Sequence, residues 1–197
     1  MLNMAIDNLS AMERTLLFDA DQVQRIIRRM AIQIQGIFAT HTKIALIGLL
    51  RRGAPIADLL LQEIRRSGDT RDILRLDLDV KRYADDLSIL YPKTLLRIED
   101  KTPLTDLSGY TVILVDDVLF TGNSLLTVID HLIHKTPSLI YTACLVDRCA
   151  TRLPIVANVI GVTLQVYADS IIECNIPPYE PTLKIVLASP RKGPITL

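Results

Sequence analysis

The sequence predicts an α/β fold with a central parallel sheet flanked by helices, and three observations lead there. Short apolar runs, Lys43–Leu50, Val112–Val115 and Leu139–Val146, have the length and β-branched content of strands buried on both faces. Stretches with apolar residues at helical spacing alternate with them, the pattern of a parallel sheet built through right-handed crossovers. The 197 residues hold no repeat, low-complexity tract or Gly/Ser linker, which suits one domain with a sizeable core.

The elements follow in order. Residues 1–17 carry Asp7, Glu13 and Arg14 and lack the apolar core of a secretory leader; they read as an N-terminal extension, with 18–197 as the single domain. Val23, Ile26, Ile27, Met30, Ile34 and Ile37 mark a helix, with Asp19 or Asp21 as its N-cap. After the strand Lys43–Leu50, Arg51-Arg52-Gly53 forms a short loop, and Pro55 suits the first turn of a helix reaching about Arg66. Ile73–Val80 alternates apolar and polar residues, as a strand with one polar face does. Lys81–Tyr110, with charges, prolines and little periodicity, reads as a long connection of the functional or mobile kind. The strand Val112–Val115 precedes a helix marked by Leu125, Leu126, Ile129, Leu132 and Ile133. Leu139–Val146, Val156–Gly161 and Lys184–Ala188 are the remaining strands, and the proline-rich Ile176–Pro181 must be a connection.

Composition narrows the partners. With 22 basic and 22 acidic residues the formal charge is zero, so nucleic acid would need a local basic face. Arg25/Arg28/Arg29, Arg51/Arg52 and Arg65/Arg66 are the candidates, although such pairs on helices read more simply as solvated outer faces. No apolar run approaches the roughly eighteen residues of a membrane helix. Cys144, Cys149 and Cys174 form no Cys-x-x-Cys pair and read as reduced thiols, which gives a cytoplasmic expectation.

The most informative string is Val112–Ser124. Asp116 and Asp117 stand at the C-terminal end of a buried strand, where open α/β sheets keep their ligand crevice. Thr121, Gly122, Asn123 and Ser124 then open a helix, offering backbone N–H groups and the positive dipole end to a phosphate. Two carboxylates near such a loop suit sugar hydroxyls or a hydrated divalent cation. Arg51-Arg52-Gly53, at the end of the earlier strand, is a candidate second anion site. Arginine grips phosphate oxygens in a fork, and glycine permits close backbone approach.

Val112–Ser124 closely resembles the phosphoribosyl diphosphate (PRPP) motif of the type I phosphoribosyltransferases. Further segments narrow the resemblance: Ile44–Gly48 with Arg51–Leu59, Tyr83-Ala-Asp-Asp-Leu87, and Leu145-Val-Asp-Arg148 followed by Leu153-Pro-Ile155. Together they resemble the pyrimidine operon regulatory protein / uracil phosphoribosyltransferase family across about residues 18–188. That resemblance implies a type I phosphoribosyltransferase fold, with a small hood and a flexible closing loop. It implies formation of UMP and pyrophosphate from uracil and PRPP with Mg2+, and a homodimer or larger homo-oligomer. It makes Asp116 and Asp117 the ribose and metal carboxylates, Thr121–Ser124 the 5-phosphate loop, and Arg51, Arg52 and Gly53 the pyrophosphate loop. Tyr83, Asp85 and Asp86 would belong to the flexible loop, and Val146, Asp147 and Arg148 to the base region. His41, His131 and His134 fall on no motif.

The chain also departs from the family pattern. Ala84 replaces the arginine of Tyr-Arg-Asp-Asp-Leu, Asn123-Ser124 replaces Arg-Thr in the phosphate loop, and Arg51 stands where threonine is usual. Cys149-Ala150-Thr151-Arg152 replaces Gly-His-Arg-Glu, and Val156 replaces an arginine linked to RNA binding. Phosphate neutralisation therefore looks weak. A uracil-specific transferase leads, with an RNA attenuator or nucleotide sensor and a transferase for another base as alternatives. A purine base is disfavoured because purine enzymes carry an acidic residue at the position of Phe120.

Overall fold

A computed structural model of the chain describes residues 12–83, 95–99 and 106–190, with side chains described outside 79–105. The central sheet has the order β4-β3-β2-β5-β6-β7, from Leu95–Glu99, Ile73–Tyr83, Ile44–Leu49, Thr111–Leu119, Leu139–Asp147 and Val159–Thr163 respectively. The β3, β2, β5, β6 and β7 strands are parallel, and only β4 runs antiparallel, against β3. A separate three-stranded antiparallel sheet, β1-β9-β8, joins Met12–Phe18, Lys184–Pro190 and Ile171–Asn175.

Both faces of the central sheet are covered, which is why its strands read as unbroken apolar runs. On one face Ile44, Leu46, Ile113 and Val115 pack with Val23, Ile27, Met30 and Ile34 of α1 (Ala20–Phe38) and with Ile56, Leu60 and Ile64 of α2 (Gly53–Arg66). The alternate residues Ala45, Ile47, Val112 and Leu114 pack on the other face with Leu125, Val128 and Leu132 of α3 (Asn123–Ile133). Ile172, Cys174 and Ile185 from the small sheet, with Ile176 just after β8, join the first layer, tying the hood to the core.

Local chemistry sets the helix positions. Asp19 caps α1: its carboxylate accepts from the Gln22 N–H at 2.8 Å, and the Gln22 side chain returns an acceptor to the Asp19 N–H at 2.9 Å. Glu63 of α2 is buried yet fully occupied. It accepts from Gln24 Nε2 at 3.0 Å, Arg28 Nε at 3.1 Å and Arg66 Nη1 at 2.5 Å, so it locks α1 to α2. Arg29 donates to the Gly161 carbonyl of β7, and Arg65 to the carbonyls of Asp69 and Arg71. Four of the arginines considered for RNA thus make contacts within the fold, although Arg28 and Arg66 stay more than half exposed.

Several expectations shift. Residues 12–17, read as part of an extension, form most of β1, so the boundary after Leu17 cuts a strand. The supposed connection after Val80 begins with three more residues of β3 and contains β4, which pairs Tyr83 with Leu95 and Asp79 with Glu99. The strand expected at Val156–Gly161 starts at Val159 instead. Residues before it meet β6 through side chains: Thr142 Oγ1 donates to the Val156 carbonyl at 2.9 Å, and the Asn158 carboxamide accepts the Thr142 N–H at 2.9 Å. β8 was not foreseen. Among the described residues, no helix is long and apolar enough to cross a membrane.

Candidate functional site

The central sheet changes winding direction between β2 and β5. The chain leaves β2 for β3 on one side and leaves β5 for β6 on the other. Ligands of open α/β sheets sit beyond the strand C-termini at such a switch point. The segments that emerge there are Arg51–Gly53 after β2 and Asp116–Ser124 at the end of β5. Two motifs separated in sequence therefore meet because Gly48 of β2 lies in register with Val115 of β5.

Gly53 determines how closely they meet. A Cβ at this position would lie 2.3 Å from the Val115 carbonyl oxygen and 3.2 Å from the Asp116 Cα. Only glycine lets the first turn of α2 rest against the end of β5. The Leu50–Arg51 peptide leading into this turn is cis.

Asp116 and Asp117 end the buried part of β5 and are both half-buried. The Asp117 N–H donates to Asp116 Oδ1 at 2.9 Å, and the Val118 N–H donates to Asp117 Oδ1 at 2.9 Å. Burial pushes the Asp117 carboxyl above the ordinary carboxylate range, while the Arg52 charge and these hydrogen bonds pull it back.

The loop after them turns on Gly122, whose φ of 85° makes it a left-handed N-cap for α3. Unlike α1, neither α2 nor α3 has a side-chain cap on its first turn. These two helix starts, neither capped by a side chain, flank the carboxylates. Asn123 Nδ2 donates to Thr121 Oγ1 at 3.1 Å, and the Arg152 N–H donates to the Thr121 carbonyl at 3.2 Å. Ile155 closes the other side, 3.3 Å from where a Gly122 Cβ would stand. Arg152 and Ile155 are loop supports that the motif alone did not reveal.

Val146, Asp147 and Arg148, expected at the base region, lie beside this loop. Val118 pairs with Val146 and Leu119 with Asp147, and the Arg148 N–H donates to the Leu119 carbonyl at 3.0 Å. The Arg148 side chain is buried, stacks 4.3 Å above the centroid of the Phe120 ring, and donates from Nη2 to the Tyr167 carbonyl at 3.2 Å. Its Nε has no hydrogen-bond partner among the described residues, and burial lowers the guanidinium pKa. Tyr83 closes β3, while Ala84, Asp85 and Asp86 lie outside the described residues.

One participant was missed altogether. Glu180, on the connection between β8 and β9, holds Arg52 with contacts of 2.5 Å to Nη2 and 3.4 Å to Nε. It also accepts the Ile176 N–H at 2.9 Å. The hydrogen bonds from Arg52 hold the Glu180 carboxyl below its usual range, and the pairing raises the Arg52 pKa. Nothing in the sequence signals this contact, which spans 128 residues.

Comparison with known proteins agrees with this geometry. A model of the phosphoribosyl transferase domain family matches residues 15–180. The Bifunctional protein PyrR of Roseiflexus sp. (strain RS-1) is 39% identical over 149 residues, 74% of this chain and 78% of the relative. The PyrR of Deinococcus deserti is 36% identical over 169 residues, 85% of this chain and 90% of the relative. Among solved structures, a hypoxanthine phosphoribosyltransferase from Trypanosoma cruzi superposes with a TM-score of 0.67 at 19% identity, covering 92% of this chain and 97% of that one. A hypoxanthine-guanine phosphoribosyltransferase from Bacillus anthracis gives a TM-score of 0.65 at 19% identity, over 89% and 99%. At that identity the structures speak for the fold alone.

Proposed function

The chain belongs to the phosphoribosyl transferase domain family and, within it, to the pyrimidine regulatory PyrR group, and on that premise we propose that it transfers the 5-phosphoribosyl group of PRPP to uracil. The products are UMP and pyrophosphate. The bond from C1 of the ribose to the pyrophosphate oxygen breaks, a bond from C1 to N1 of uracil forms, and the N1 proton is released. The observation that carries this reading is the meeting of three elements at one switch point: Asp116–Asp117, the Thr121–Ser124 loop and the Arg51–Gly53 turn. PRPP has three matching parts, a diol, a 5-phosphate and a pyrophosphate.

In this assignment Asp116 and Asp117 accept hydrogen bonds from the ribose hydroxyls. The Thr121–Ser124 amides and hydroxyls, at the uncapped start of α3, hold the 5-phosphate. The Arg51–Gly53 turn and the Arg52 fork receive the pyrophosphate after exchange with Glu180. Asp116 and Asp117 are hard oxygen donors that would hold Mg2+, which would supply positive charge to offset the leaving pyrophosphate. Catalysis then rests on positioning and on stabilising charge as C1 gains oxocarbenium character. No covalent nucleophile is required. The role of Tyr83, Asp85 and Asp86 as a closing loop rests on family resemblance.

RNA attenuation is the weaker reading for this chain. Arg28 and Arg66 pair with Glu63, and Arg29 and Arg65 bind backbone carbonyls. With zero net charge and these four arginines already in contacts within the fold, the chain offers no global field and a reduced local one for RNA phosphates. The test is turnover: purified protein with Mg2+, PRPP and uracil should form UMP and pyrophosphate. Thermal protection by PRPP without UMP formation would overturn the uracil assignment in favour of a sensor or another base. Salt-dependent binding of a pyrimidine leader RNA would restore the regulator.

A further inference from the structure

Phe120 stands between the two ligand-facing motifs and belongs to neither. It follows the carboxylates by three residues and directly precedes Thr121. It is 43% exposed, although large aromatic side chains usually bury most of their surface. Its ring is nevertheless held from one side, where the Arg148 guanidinium sits 4.3 Å from its centroid. Arg148 is itself immobilised: it is only 8% exposed, its N–H is tied to Leu119 and its Nη2 to the Tyr167 carbonyl. One side of the ring is therefore backed by a held planar cation, and a substantial part of the residue stays open to solvent directly before Thr121. A rigid, half-open aromatic surface with a backing group is a stacking platform for a flat heterocycle.

We propose that Phe120 is the acceptor-stacking residue of the site, with its Arg148-backed ring forming a wall against which the planar base lies. This inference rests on the transferase reading and deepens it by assigning the contact that holds the acceptor. The base would gain affinity from the ring face, independently of the ribose and phosphate contacts. Arg148 acts through Phe120 by fixing the ring plane.

The chain contains no tryptophan, so Phe120→Trp introduces a single indole reporter at the platform. UMP, which carries the base, should quench or shift its fluorescence; ribose 5-phosphate, which fills the sugar and phosphate sites without a base, should not. In a parallel titration, Phe120→Leu should weaken UMP binding roughly tenfold, within the range for loss of one base–aromatic stack, and leave ribose 5-phosphate binding unchanged. Phe120→Tyr should restore the wild-type ratio. Equal weakening of both ligands, or a tryptophan signal identical with UMP and ribose 5-phosphate, would overturn the proposal. If the wild-type protein binds neither compound, the transferase reading itself fails. If it binds both but Phe120→Leu leaves their ratio unchanged, only the stacking role fails.

Discussion

Replacing Glu180 by glutamine should make the protein bind pyrophosphate more tightly. In the structure Glu180 occupies the Arg52 fork, with contacts of 2.5 and 3.4 Å, and Arg52 is the side chain assigned to pyrophosphate. The incoming anion must therefore displace a carboxylate. Glutamine keeps a side-chain carbonyl for the Ile176 N–H but removes the charge that competes for the guanidinium. The two side chains are 41% and 21% exposed, so solvent screens the pair and its worth is far below an unscreened Coulomb value. The two-pronged geometry and partial burial put it near the upper end of exposed pairs, about 1 kcal/mol. That corresponds to about fivefold in affinity. Relief of like-charge repulsion between Glu180 and the pyrophosphate acts in the same direction. Calorimetric titration of both proteins with inorganic pyrophosphate and Mg2+ measures the difference, which should shrink as salt is raised. An unchanged or weaker affinity in the variant would refute the reasoning, because Glu180 would then be orienting Arg52 rather than competing for it.

Three further expectations follow from the packing. Gly53→Ala should cost about 1–3 kcal/mol through overpacking against the Val115 carbonyl, lowering the Tm by several degrees and weakening PRPP binding; unaltered melting and binding would contradict the close approach. Glu63→Ala should cost about 2 kcal/mol of stability, measured by urea unfolding as a lower midpoint at unchanged slope, since Gln24, Arg28 and Arg66 lose their common acceptor but both arginines still reach water. Asp69 gives a pH-dependent test, because hydrogen bonds from Arg71 depress its carboxyl pKa in the folded state. The folded protein then binds fewer protons than the unfolded chain, so this stabilisation is complete above the unfolded carboxyl pKa of about 3.9 and is lost as the pH falls below it. Accordingly, the stability gap between wild type and Asp69→Asn should be constant from pH 5 to 7 and close in acid; a gap that widens on acidification would exclude the assignment.

The parts legible in the sequence are those fixed by local pattern. β2, β5 and β6 stand out because helices cover both faces, so their residues are apolar without interruption. The α1 cap was readable only as Asp19 or Asp21; the reciprocal contacts with Gln22 settle it on Asp19. The turn into α3 was readable because Gly122 supplies the left-handed residue that starts the helix. The hood was not. β1 and β8 are short antiparallel strands with partly exposed residues, and their pairing with β9 depends on segments far away in the chain. β4 is short, and its pairing with β3 is set by the return of the chain rather than by its own periodicity. Within the site, the carboxylates and both loops were visible as motifs, whereas Glu180 on Arg52 and Phe120 under Arg148 exist only through tertiary folding. His41, His131 and His134 fall outside the site contacts described above.

The central claim is that the ends of β2 and β5 form one PRPP site. Its most direct test is calorimetric titration of PRPP with Mg2+ into the wild-type protein and into the Asp116→Asn, Asp117→Asn double variant. Both substitutions preserve side-chain shape at half-buried positions, so the variant should fold with an unchanged circular dichroism spectrum. Saturable PRPP binding to the wild type, abolished in the folded double variant, is the predicted result. Equal PRPP affinity in the two proteins would contradict the account.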